Sequence, residues 1–226
     1  MSGPMTMYLY IHDAILREVD DMEARARELN RDDPDEIAAF KDQYDLFHNL
    51  VKVHEKSEED FLFPALNERI AFVAETYLYD HNDSDEHIFA DIAAAFDALA
   101  HASGNGDRKA AARNLWREKA VLNEMMRLHI SKENELMMPH FETEFDLSEQ
   151  AEMAGAMAGS VDPQTMGQFV AWMYGGQTAQ DREGMIRFLQ MILPPEAFGG
   201  MTGMLKGLGD AEWAEMEKRI PDLADG

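Results

Sequence analysis

The sequence predicts an all-α protein, an up-down four-helix bundle followed by a C-terminal helical extension. Three observations carry this expectation. From residue 6 to residue 139 apolar residues recur at spacings of three and four, with almost no strand-like alternation. Proline and clusters of Asn, Asp and Gly divide that run into four long segments joined by short breaks, the pattern of an antiparallel bundle. Past Pro139 the pieces shorten, and nine of the 17 methionines fall after residue 150. The expected division is a bundle over residues 1–145 and a Met-rich helical extension over 146–226, suited to a cap or a dimerisation surface.

The first helix follows Pro4 and runs to about Leu29, where Asn30-Arg31-Asp32-Asp33-Pro34 breaks it. Asp33 reads as an N-cap, Pro34 as the first helical position and Glu36 as the capping-box partner, so the second helix starts there and runs to Phe63, before Pro64. The third covers about residues 77–102 and stops at Ser103-Gly104-Asn105-Gly106. Asp107 caps the fourth, which continues to Met138, before Pro139. In the extension, Asp162-Pro163 opens a helix ending at Gly175-Gly176, and Thr178 with Asp181 caps another ending at Pro194-Pro195. Two short helices follow, near 197–208 and 210–220. Phe169, Trp172, Met173, Ile186, Leu189, Ile192, Phe198 and Trp213 form apolar faces that need covering.

Composition narrows the chemistry. With 44 acidic against 20 basic side chains the net charge is −24, which disfavours nucleic acid and anionic membranes as partners, because both demand clustered Lys and Arg. The absence of cysteine removes disulfides, thiolate nucleophiles, Fe–S clusters and Cys-type zinc sites, so a metal would be held by His, Glu or Asp. No apolar stretch approaches a membrane span, and the first residues carry neither a basic n-region nor an apolar h-region; the expectation is a cytoplasmic protein.

Two His-x-x-x-Glu pairs stand out, His54 with Glu58 and His129 with Glu133. Residues four apart share one helix face, so each pair can reach a single point in a bundle interior. One such pair is also what a solvated ion pair on an acidic helix looks like. The spacing between the pairs is the stronger observation. A shift of 75 residues carries His12 onto His87, His54 onto His129, Glu58 onto Glu133 and Pro64 onto Pro139. The chain thus reads as two tandem helical hairpins, each offering one His from its first helix and His-x-x-x-Glu from its second. Folded as a bundle, they would point four imidazoles and two carboxylates inward. Two metals would each take two His and one oxygen from each bridging Glu, and a solvent-derived bridge leaves room for a small ligand.

The same register sorts the remaining histidines. His81 lies six residues before His87, about 240° around a helix, and has no partner under the shift. With His48, His101 and His140 it reads as a surface or supporting group, dispensable for metal. Asp91, four residues after His87, suits either an extra ligand or, the commoner case, an acceptor orienting His87. Glu55 and Glu59, one residue off the ligand positions, are expected to face solvent or neighbouring helices, while Tyr8 and Tyr44 read as core aromatics. Bridging carboxylates with imidazoles favour iron, and manganese less so, over structural zinc. With four His to two Glu the set differs from the carboxylate-rich ferritin-like sites and suits reversible binding of a diatomic.

His12 within Ile-His-Asp-Ala-Ile-Leu, His54-x-x-x-Glu58 running into Phe-Leu-Phe-Pro, Glu86-His87, and His129-x-x-x-Glu133 running into Leu-Met-Met-Pro resemble the hemerythrin-like (HHE cation-binding) domains over about residues 6–145. The resemblance implies a non-haem pair of iron ions, oxo- or hydroxo- and carboxylate-bridged, with His12, His54, His87 and His129 as terminal ligands and Glu58 and Glu133 bridging. Oxygen-carrying hemerythrins supply a His pair four apart from the third helix and an Asp from the last; here position 83 is Asp. The chain is more similar to the bacterial branch with two His-x-x-x-Glu motifs, whose members are linked to oxygen or nitric oxide sensing, peroxide handling and repair of iron centres. Three functions stay open on the residues: binding of O₂ or NO, a redox enzyme consuming peroxide or NO, and iron delivery. The extension suits a homodimer.

Overall fold

The computed structural model describes residues 4–223, the side chains of 6 and 83–86 excepted. Asp83 and Glu86, singled out by the sequence pattern, thus have side chains outside the described residues. The chain is helical and, among the described residues, contains no strand. Its helices are α1 (Thr6–Glu28), α2 (Pro34–Ser57), α3 (Phe63–Arg69), α4 (Glu75–Tyr79), α5 (Glu86–His101), α6 (Asn105–Lys132), α7 (Met138–Glu144), α8 (Leu147–Ser160), α9 (Pro163–Gly175), α10 (Ala179–Ile192), α11 (Pro195–Lys206) and α12 (Asp210–Arg219). No described helix is long and apolar enough to cross a membrane.

Among the described residues three π-helical turns interrupt the regular geometry, at Glu58–Leu62, Asp80–Asp85 and Glu133–Met137. A π-turn inserts one residue into the helix period and is commonest at functional sites. Two of the three precede a proline, Pro64 and Pro139, which cannot donate to the carbonyl four residues earlier. The helices therefore do not stop before these prolines, as the sequence suggests, but restart through them as α3 and α7. The predicted third helix likewise begins in α4 and passes through a π-turn before α5. α8, which the sequence reading left out, is opened by a capping box: Asp146 accepts from Ser148 and Glu149 N–H, and Glu149 answers at the Asp146 N–H. The Asp33, Asp162 and Thr178 caps form as expected, whereas α6 starts at Asn105 with Gly104 as its cap.

The described residues divide into two compact units, one of residues 15–140 and one of residues 4–14 together with 141–223. The sequence-based division at 145 leaves the first residues with the bundle, whereas the structure places them in the C-terminal unit. In that unit Gln177 donates to the Tyr10 carbonyl at 3.0 Å. Gly184 comes so close to the Tyr10 hydroxyl that a Cβ would lie 2.1 Å from it. Phe169, Met173, Ile186, Leu189 and Trp213 are buried there, while Trp172, Ile192 and Phe198 are half-buried.

In the unit of residues 15–140, α5 packs along α6 and against α2. Tyr44 donates to the Phe89 carbonyl at 2.7 Å and, with Phe40 and Phe96, builds an aromatic layer, so it is a core residue as expected. Lys119 is buried in that layer, its Nζ 3.7 Å from the Tyr44 ring centroid. Burial pushes this amine's pKa well below the usual lysine value. Asn123 ties α6 to α1 by donating to Asp20 and Glu23 at 3.0 and 2.8 Å.

Candidate metal centre

The centre is built where α2 and α6 give way to their π-turns. His54 and His129 stand in the last turns of the α-helices, and Glu58 and Glu133 are the first residues of the π-turns. Both carboxylates are fully buried, and the two imidazoles nearly so. His54 Nε2 lies 3.6 Å from Glu58 Oε1, and His129 Nε2 lies 3.2 Å from Glu133 Oε1, so each i,i+4 pair meets as the helix periodicity requires.

The third histidine of this cluster is His81. It is 1% exposed, in the π-turn between α4 and α5, with Nε2 3.4 Å from Glu58 Oε2 and 3.3 Å from His129 Nε2. Glu58, His81, His129 and Glu133 each offer a ligand atom, all within 4.8 Å of one another. His87 instead lies exposed on α5, outside this group, in line with exposed Asp91. The buried face of the segment runs through Tyr77, His81, Ile88, Ile92, Phe96 and Leu99, and six residues of helix turn His87 away from it. The sequence register expects His87 as the ligand and His81 as a surface or supporting group; the structure brings His81 into this cluster and leaves His87 outside it. His12 is fully buried on α1, with the Tyr8 ring edge-on at 5.3 Å.

Outer groups hold two of the imidazoles. His81 Nδ1 donates to Glu59 at 3.1 Å, and His129 Nδ1 donates to Asp80 at 3.3 Å. Lys132 in turn grips Asp80. A proton fixed on Nδ1 makes Nε2 the nitrogen that faces the cluster and can ligate once it is unprotonated, the usual device for orienting a metal-bound histidine. Glu59 and Asp80 were not assigned this role from the sequence. For Asp80 the available signal was the run Asp80-His-Asn-Asp-Ser-Asp85, whose residues are poor helix formers and mark an irregular turn. Glu55, expected to face solvent or neighbouring helices, is buried and held by Lys52 at 2.7 Å. His48 stacks on Phe89, and His101 and His140 stay outside the cluster.

Burial, and then the negative charge of Glu133, push the Glu58 carboxyl well above the usual range, with His129 pulling the other way. Burial lowers His129, but Glu133, Asp80 and Glu58 outweigh it and hold this imidazole well above its ordinary pKa. His81 is pushed down to about 4 by burial and by the neighbouring His129 charge. Among the described residues neither Glu58 oxygen has a hydrogen-bond partner of ordinary geometry, although both are shut away from water. Two buried carboxylates facing imidazole nitrogens, with that oxygen pair unsatisfied, fit a divalent or trivalent cation. The donor set of nitrogen and carboxylate oxygen fits iron or manganese.

The sequence model of the hemerythrin HHE cation-binding domain matches residues 6–157. The chain is also similar to zinc finger protein BRUTUS of Arabidopsis thaliana, 23% identical over 194 residues. A BRUTUS-like zinc finger protein of the same plant is 19% identical over 194 residues. Both alignments cover 86% of this chain but only 15% of the relative, so the chain spans about a seventh of these proteins' length. No solved structure gives a significant match. With two thirds of its residues matched, and with buried His and Glu groups that could hold a metal, the chain belongs to the hemerythrin HHE cation-binding domain family.

Proposed function

We propose that this protein holds a carboxylate-bridged pair of iron ions and uses it to bind a small ligand, O₂, NO or peroxide, in gas sensing or in defence against oxidative and nitrosative stress. The observation that carries the reading is the pair of fully buried carboxylates, Glu58 and Glu133, set among imidazoles. We assign His81 and His129 to one ion, and His54 with His12 to the other, with Glu58 and Glu133 bridging. His12 enters on its complete burial and on the spacing of 42 residues that separates it from His54. α1, α2, α4 with α5, and α6 are read as the four staves of an up-down bundle. The C-terminal unit is read as a cap or a homodimer surface.

Iron with an open coordination position supplies reversible binding or redox chemistry. The chain's own residues supply the rest. The Glu59 and Asp80 carboxylates hold His81 and His129 in the tautomer whose Nε2 can ligate, and the surrounding apolar core excludes water. Loading the site would expel the proton that burial favours on Glu58 and the one that the neighbouring carboxylates hold on His129, so metal affinity falls as pH falls. A second reading, a redox enzyme that dismutates peroxide, is supported by the same buried carboxylates, since both can carry protons. A finger built on cysteine thiolates has no counterpart in a chain without cysteine.

The test is metal content with the visible absorption of the purified protein, followed by NO under anaerobic conditions and, separately, by hydrogen peroxide with oxygen release recorded. About two irons per chain with a stable NO or O₂ adduct and no turnover fits the binding protein. Rapid oxygen evolution selects the enzyme, and iron-free protein that takes up none on reconstitution overturns both.

A further inference from the structure

The far end of α6 from the metal centre carries a feature that iron chemistry does not use. Between the end of α1 and the first turns of α6 lies a cleft of about 230 Å³, lined by Arg27, Arg31, Lys109, Arg113, Trp116 and the apolar wall around Leu29. Thirteen residues of α6 separate Trp116 from His129, about 20 Å along the helix axis. In a chain with 20 basic residues and a net charge of −24, four cations converge on this one cleft.

Structural pairing accounts for only part of their crowding: Arg31 Nη2 donates to the Asn105 side-chain carbonyl at 3.4 Å. Arg27 lies in the last turn of α1, where a helix dipole favours a cation, pairs with Glu23 at 3.2 Å and covers the Trp116 ring at 5.5 Å. Lys109 and Arg113 follow the opposite, positive end of α6, and neither forms an ion pair among the described residues. Two N–H groups of the lining, Arg31 Nε and Trp116 Nε1, are shielded from water and have no hydrogen-bond partner among the described residues. Buried donors normally find acceptors, so a lining that leaves two of them open and gathers four positive charges is complementary to an anion that accepts several hydrogen bonds.

We propose that this cleft is a binding site for a small multivalent oxyanion, a phosphate ester or a polycarboxylate. The guanidinium groups of Arg31 and Arg113 offer the planar forks that match phosphate or carboxylate oxygens, Lys109 adds a point charge, and the Trp116 indole with Leu29 flanks an apolar or planar part of the ligand. The cleft is smaller than the pockets that take drug-sized molecules, and the acidic remainder of the surface repels nucleic acid, so the occupant is a small molecule rather than a polymer. This site is independent of the iron reading.

The test is calorimetric titration of pyrophosphate, citrate and AMP, each alone, into the full chain at low ionic strength. At least one is expected to bind, with affinity falling as salt is raised. The double variant Arg31→Gln/Arg113→Gln is expected to lose at least tenfold in affinity, and Trp116→Phe a few-fold, while Lys41→Gln, whose side chain pairs with Asp45 elsewhere on the surface, keeps the parent affinity. Without ligand the double variant is expected to melt no lower than the parent, because it removes crowded like charges. Citrate against pyrophosphate and AMP separates polycarboxylate from phosphate chemistry. Absence of binding by all three probes, equal losses in Lys41→Gln, or a double variant that melts well below the parent would each overturn the proposal.

Discussion

α2 and α6 end in the same way. In each, a buried histidine is followed four residues later by a fully buried glutamate that opens a π-turn, and a proline six residues after the glutamate restarts the α-helix. The helices that precede them differ. α1 runs in unbroken α geometry past His12, whereas the corresponding segment of the second hairpin is split into α4, a π-turn and α5, and its buried histidine sits in the π-turn as His81. A 75-residue repeat in the sequence is therefore a repeat of His–Glu pairs but not of helix period. One inserted residue re-aims every side chain that follows it, and His87, aligned with His12 by the shift, ends up exposed.

The shared halves of the hairpins should tolerate change least. Glu133→Ala or Glu58→Ala is expected to abolish stable metal binding, since each removes a carboxylate shared by the donor groups; metal analysis after dialysis checks it. If either variant kept the parent's metal content, the likeness between α2 and α6 would have no functional meaning.

The supporting groups belong to the second hairpin's own geometry and should cost less. Asp80→Asn or Glu59→Gln is expected to weaken metal affinity by roughly 10- to 100-fold, through loss of the carboxylate that fixes His129 or His81, measured by competition with a chelator. Equal effects from Asp91→Asn, on the exposed face of α5, would remove the distinction between the two faces.

Proton titration sharpens the comparison further. In the metal-free protein His81 is expected to titrate near pH 4, below its ordinary 6.5, because it is buried beside the His129 charge. Between those values the unfolded chain binds the proton and the folded chain does not, so His81 costs stability as pH falls from 6.5 towards 4, and no more below. His129 runs the other way: its raised pKa contributes stability that is present at low pH and is lost as pH rises through its folded value. Ring-proton NMR of the metal-free protein against pH checks both, and His81 found protonated at pH 6 would contradict the packing described here.

The smallest effect is expected at the buried charge that serves no ligand. Lys119→Met exchanges an amine held in an aromatic layer for an apolar side chain of similar size and should leave stability within about 1 kcal/mol or raise it, as often found when buried charges are replaced. Chemical denaturation reads the difference.

Much of this was legible in the residues. The helical periodicity, the Asp33, Asp162 and Thr178 caps, and the His54–Glu58 and His129–Glu133 pairs are local patterns, and local patterns are set by helix geometry alone. His81 was missed because the duplication was followed across a segment whose period changes, although the apolar stripe of Ile88, Ile92, Phe96 and Leu99 already places His87 on the opposite face. Pro64 and Pro139 read as stops because the π-turns ahead of them, which leave no helical hydrogen bond for the proline to break, have no strong sequence signature. Glu59 and Asp80 escaped notice because their role depends on the contacts of His81 and His129 across elements.

The measurement that tests the central claim most directly is the metal content of His81→Ala beside that of His87→Ala, each purified and reconstituted with ferrous iron in parallel with the parent. The account predicts that His81→Ala falls well below the parent while His87→Ala matches it. Full loading of His81→Ala together with loss of metal from His87→Ala would contradict it and return the site to the symmetric register of the sequence.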